Sequence, residues 1–222
     1  GSNPLVITFN ATSTPTSTQT LLRNITFENV SQNPSTSART VRFVLTDGAG
    51  GTSAAVTQTV NVTAVNDAPV ATIVASSYGV TEDDSNRGLG GVSISDVDAG
   101  SNDLEVTLAV NDGVVTLVTA TGLTFTGGAN GSATATFTGN VTDLNNALAS
   151  LRYRPNPDFA GTDTLTLTVD DQGNTGGGAL TDFDTANIIV SPVNDAPTIT
   201  SSASPSAAEN QTAAVTVTSS DP

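Results

Sequence analysis

Apolar and polar residues alternate with period two through most of this chain. Leu104-Glu105-Val106-Thr107-Leu108-Ala109-Val110 does so over seven residues, and Thr164-Leu165-Thr166-Leu167-Thr168-Val169 repeats the pattern. That period sends alternate side chains to a buried face and a wet one, so each run predicts a half-buried strand. Shorter runs predict further strands over 72–74, 91–95, 114–118, 123–126, 133–138 and 186–190. Asn111-Asp112-Gly113 stands between two of these runs and predicts a hairpin, as does the Gly/Asn run at 127–131. A Gly-rich stretch at 171–178 separates the last two strands. Helical spacing marks the stretch 143–151. Leu144, Ala147, Leu148 and Leu151 fall at i, i+3, i+4 and i+7, with Asp143 as the expected N-cap. One or two turns there would plug an end of a β-sandwich.

The alternation recurs on a longer period. Val-Asn-Asp-Ala-Pro occurs at 65–69 and again at 193–197, 128 residues apart, about one domain length. Leu21, Leu22, Ile25 and Phe27 match Ala147, Leu148, Leu151 and Tyr153 at a constant offset of 126. Leu45-Thr46-Asp47 matches Val169-Asp170-Asp171, and 56–65 matches the last strand before the second linker. Beyond that linker, Ala208-Glu209-Asn210 answers Val80-Thr81-Glu82, and Ser220-Asp221 answers Ser95-Asp96. Residues 1–66 are therefore read as the later part of a repeat, 67–196 as a whole repeat, and 197–222 as the start of another. The expected fold is all-β, a linear array of Greek-key sandwiches of about seven strands each. Neither end piece should bury a full core alone. As complementary parts of one repeat, the two are expected to pair between molecules by strand exchange.

Composition agrees with strands and narrows the chemistry. Hydrophobic residues make up 36% of the 222 positions and aromatics 4%, so the core must be Val, Leu, Ile, Ala and a few Phe. Net charge is −15, and all six bases are Arg, which excludes a nucleic-acid partner for want of a basic face. There is no Cys to form a disulfide and no His to act as a base. Asp182 and Asp184 are spaced as a carboxylate pair, but a glycosidase would surround its sugar with aromatics, and the chain has two Tyr and no Trp. An enzyme is not expected. No apolar run reaches the 18 or so residues of a membrane span, and no signal peptide is visible. Gly1-Ser2 reads as a cloning remnant on a piece of a longer chain.

The acids cluster in short motifs, which suits ligands better than general solvation. Calcium takes six to eight oxygens from carboxylates, amides and backbone carbonyls. Candidates are Glu82, then Asp96 and Asp98 with Asn102 and Asp103, then Asp158, then Asp170 and Asp171. The linkers add Asn66 and Asp67, and Asn194 and Asp195. Asp112, before a Gly, is read as turn chemistry.

Their order resembles a family. Glu82, Asp96-Val97-Asp98 with Asn102, Val169-Asp170-Asp171-Gln172-Gly173 and Asn194-Asp195-Ala196-Pro197 follow the motif order of cadherin repeats. With 151–161 (Leu-x-Tyr-x-Pro-x-x-Asp-Phe-x-Gly), they are most similar to bacterial cadherin-like tandem repeats of giant surface adhesins, including those with RTX tails. The resemblance implies calcium at each junction between repeats. At the first, the ligands would be Asn66, Asp67, Asp96, Asp98, Asn102 and Asp171. At the second they would be Glu82, Asp158, Asn194, Asp195 and Asp221. The family's Leu-Asp-Arg-Glu motif is absent and Asp158 only stands in its place, so one or two ions per junction are expected. The function implied is a calcium-stiffened extender of an extracellular bacterial adhesin, partnered by calcium and neighbouring repeats and serving adhesion or biofilm. The alternative is a module recognising polysaccharide or a like adhesin, with Tyr78 as its candidate contact.

Overall fold

The computed structural model describes residues 4–47, 49–201, 209–210 and 217–220. The chain divides into two compact units, Gly1–Thr63 and Ala64–Pro222. Among the described residues strands dominate and two short helices occur, so the protein is all-β.

The first unit holds helix α1 (Pro15–Arg23) and strands β1 (Arg39–Phe43) and β2 (Val56–Val60). Thr14 caps α1: its hydroxyl accepts from the Ser17 amide while the Ser17 hydroxyl accepts from the Thr14 amide, and Pro15 opens the first turn. β1 and β2 pair antiparallel. None of the described residues of this unit is buried.

The second unit contains eleven strands between its two linkers. They are β3 (Val70–Ile73), β4 (Ser77–Thr81), β5 (Arg87–Gly88), β6 (Val92–Ser95), β7 (Asp103–Ala109), β8 (Gly113–Leu117), β9 (Thr124–Gly128), β10 (Thr134–Asn140), β11 (Leu151–Pro155), β12 (Gly161–Asp170) and β13 (Thr181–Ser191). One sheet has six strands in the order β4-β13-β12-β7-β10-β9, and β5-β11-β8 and β3-β6 form smaller ones. Leu104, Val106 and Leu108 of β7, Phe137 of β10 and Leu165, Leu167 and Val169 of β12 supply the core from the large sheet. Val115, Leu117, Leu151 and Tyr153 supply it from the three-stranded one. Helix α2 (Val141–Leu148) adds Leu144, Ala147 and Leu148, all buried. Asn145 of α2 holds β6 by both ends of its amide, donating to the Ile94 carbonyl and accepting from the Ile94 amide, each at 2.9 Å. After the second linker, β14 (Thr198–Ile199) pairs antiparallel with β15 (Ser219–Ser220).

Several local expectations are corrected. Asn111-Asp112-Gly113 does not make a hairpin: β7 pairs with β10 and β12, whereas β8 pairs with β11. The turn carries the chain from one sheet to another, because the Asp163 carboxylate accepts from the amides of Asn111 (2.9 Å) and Asp112 (3.0 Å). The 127–131 turn does join two paired strands, β9 and β10. The cap of α2 is Asn140, whose side chain accepts from the Asp143 amide, and Asp143 sits in the first turn. The stretch from Val70 to Ser191 has eleven strands where about seven were expected, since the first strand splits into β3 and β4 and short pieces pair separately. β12 and β13 also run longer than their apolar cores.

The β1–β2 pair and the β12–β13 pair share a register. β1 pairs Arg39 with Val60, Val41 with Gln58 and Phe43 with Val56. β12 and β13 pair Asp163 with Ile188, Leu165 with Ala186 and Leu167 with Asp184. Offsets of 124 on one strand and 128 on the other carry the first set onto the second. α1 likewise falls on α2 at the offset of 126.

Candidate metal centre

Three stretches meet where the second unit begins: the linker through Asn66 and Asp67, the loop after β6, and the loop between β12 and β13. The Asn66 side chain donates to Asp171 Oδ2 at 2.5 Å and to the Gly178 carbonyl at 3.1 Å. The Asp67 amide donates to Asp98 Oδ2 at 3.2 Å. The Thr175 hydroxyl donates to the Asp98 carbonyl at 2.9 Å, which ties the two loops together. Gly176 lets the loop lie on the linker. Its φ is +68°, and a Cβ there would stand 2.4 Å from the Ala64 carbonyl oxygen.

The acids at this pole differ in state. Asp171 is 2% exposed; burial raises its pKa, but donation from the Leu180 and Gly173 amides and from Asn66 outweighs that and leaves it lowered. Asp47, its counterpart in the first unit, accepts from the amides of Ala49 and Gly51 in the same way. Asp171 is thus chiefly a loop organiser. Asp96 is the opposite case. Its Oδ1 accepts from the amides of Asp98 and Ala99, but its Oδ2 is buried with no hydrogen-bond partner. Burial, and then contact with the Asp98 carboxylate, raises its pKa. Asn102 lies exposed at the loop edge.

The residues fit a hard cation at one point, Asp96 Oδ2, a buried acceptor beside a second carboxylate. Among the described residues no three Asp, Glu, His or Cys side chains stand close enough to form a cage by themselves. Further oxygens would have to come from Asn66, Asp67 or backbone carbonyls.

The other predicted set is less converged. The Glu82 amide donates to the Ser191 carbonyl at 3.1 Å, and the Glu82 carboxylate accepts from the Val193 amide, which fastens the second linker to the end of β4. The Asn194 side chain donates to the Asp195 carbonyl. Asp195 is half-buried, while Asp158 is exposed at a turn with φ +59°. Asp221 lies outside the described residues.

Asp182 and Asp184 are accounted for without catalysis. They accept from the amides of Ala71 (2.9 Å) and Ile73 (2.7 Å), supplying partners to β3 along its edge. Asp163, not singled out from sequence, is 1% exposed and also accepts from the Tyr153 hydroxyl at 2.9 Å. Its signal was its phase: it stands two residues before Leu165 on the core face. Tyr78 is buried, and its hydroxyl donates to the Gly90 carbonyl at 2.7 Å. No helix of the described residues is long and apolar enough to cross a membrane. No family model matches this chain, and a search of curated proteins gives no match.

Proposed function

We propose that this chain is part of a calcium-stiffened extender in a large bacterial surface adhesin, with repeats in a linear extracellular array supporting adhesion or biofilm. The observation that carries the reading is the buried Asp96 Oδ2, without a donor and next to Asp98, where linker residues Asn66 and Asp67 are tied to two acidic loops. Calcium there would neutralise paired carboxylates and fix the linker, which is how metal binding becomes stiffness. The sandwich is structural in this reading and carries no catalytic role. The residue-level support is the same ligand pattern that resembles cadherin-like repeats. The rival recognition reading loses its candidate contact, because Tyr78 and Tyr153 are both core residues.

A calcium titration followed by melting temperature and small-angle scattering tests it, with Asp96→Ala/Asp98→Ala and Asp195→Ala proteins alongside. Calcium should raise the melting temperature and lengthen the particle, and the variants should lose both responses. Wild-type protein unmoved in both quantities would leave the acids as surface solvation.

A further inference from the structure

Asn66 is expected from sequence to be a metal ligand, but its contacts give it another part. The nitrogen of its side chain, not the oxygen, meets the Asp171 carboxylate at 2.5 Å and the Gly178 carbonyl at 3.1 Å. Both partners are acceptors, so hydrogen bonding fixes which way the amide points. Asp171 is itself held in place. It is 2% exposed, and its other oxygen accepts from the Gly173 and Leu180 amides at 2.8 and 2.9 Å.

The loop is shaped to admit the linker. A Cβ on Gly177 would stand 2.8 Å from the Asn66 Cβ, as one on Gly176 would stand 2.4 Å from the Ala64 carbonyl oxygen. Both distances are well inside van der Waals contact, so a side chain at either position would push residues 64–66 off the loop. The loop is also tied down away from the linker. The Asn174 side chain donates to the Asp103 and Asp171 carbonyls, each at 2.7 Å, and the Thr175 hydroxyl donates to the Asp98 carbonyl. The seat is therefore anchored by groups other than those that grip Asn66.

We propose that Asn66 is a positioning residue, a latch that holds the linker in the Gly176-Gly177 seat and so presents Asp67 to Asp98 whether or not metal is bound. The proposal rests on the extender reading in taking 64–67 as a linker, and it deepens that reading: calcium binds a linker already in place and does not have to order it. A neutral amide suits this task where a carboxylate does not. Asp at this position could not donate to Asp171, and it would set a second negative charge against it.

Amide hydrogen exchange of the whole chain in chelator, resolved by residue, tests this. The Asp67 amide reports the latch, since it donates to Asp98 only while the linker is seated. Asn66→Ala should speed its exchange by about tenfold. Asn66→Asp, nearly the same shape, should speed it as much, because it brings an acceptor where a donor is needed. Gly177→Ala should do the same with Asn66 intact. Gly177 does not take a positive φ, so the added methyl meets Asn66 without straining the loop backbone. The Gly173 and Leu180 amides, on the other oxygen of Asp171, should keep their rates in every variant, as should amides in β7 and β12. An Asp67 rate unchanged by Asn66→Ala or by Gly177→Ala overturns the proposal. So does equal acceleration at Gly173 and Leu180, which would mean that the loop itself had come apart. The calcium response is measured separately, so a chain with a latch and no calcium site is told from a chain with neither.

Discussion

Burial makes the Asp96 carboxylate harder to ionise, and its neighbour Asp98 adds to that, outweighing the donation that Oδ1 receives from the Asp98 and Ala99 amides. With its folded pKa raised, the stability Asp96 contributes is full below the unfolded value and is lost as pH rises through the folded one. At neutral pH, where the unfolded carboxylate is charged, Asp96 therefore costs the metal-free protein stability. Asp96→Asn keeps a side-chain oxygen for the Asp98 and Ala99 amides and cannot ionise. In chelator at pH 7 it should melt about 2 °C higher than wild type, with no gain below the carboxylate range, and it should lose the calcium response. Asp171 has the reverse sign. Its pKa is lowered, so its contribution is present above the unfolded value and is lost as pH falls through the folded one. Asp163 has a larger structural part. Asp163→Ala would leave the Asn111 and Asp112 amides and the Tyr153 hydroxyl without their acceptor, at a cost of about 3 kcal/mol in a denaturant melt. The sequence displayed Asp163 as an acid in phase with Leu165 and Leu167. It did not display the partners, because 111–112 and Tyr153 are reached only through the fold.

At the scale of elements, periodicity was a sound guide, and local turn chemistry held at 127–131 but not at Asn111-Asp112-Gly113. The strands β7, β10, β12 and β13 lie where alternation put them, and α2 buries the predicted Leu144, Ala147 and Leu148. Asn-Asp-Gly promised a hairpin, but a turn fixes only where the chain reverses; the ladder partner is chosen by burial at long range. The same limit hid the role of Asp182 and Asp184. Their spacing of two is what a row of amides on a neighbouring strand requires, and only the fold supplies that strand. Replacing both by Ala should speed hydrogen exchange at the Ala71 and Ile73 amides by about tenfold, the equivalent of roughly 1.4 kcal/mol, while amides in β7 and β12 hold their rates.

At the scale of the molecule, residue identity at matched positions shows in a shared strand register but not in burial, since Leu45 and Phe27 are exposed where Val169 and Tyr153 are buried. The candidate metal centre was only half legible: Asn66, Asp67, Asp96, Asp98 and Asp171 do gather at one pole, whereas Asp158 sits exposed on its own turn. A net charge of −15 with few bases also has a collective cost. In chelator, raising sodium chloride should increase the melting temperature by screening that repulsion, and saturating calcium should flatten the salt dependence. One further consequence follows from the way the repeat begins and ends. β4 lies parallel to β13 from Ser77 beside Asn187 to Thr81 beside Ser191, and the chain leaves for its second linker directly from β13. Amide contacts from Ala71 to Asp182 and from Ile73 to Asp184 run in the same sense upstream. A pull on the two linkers therefore loads these contacts in shear, side by side, so the first event of mechanical rupture must break them together and cannot peel them one at a time.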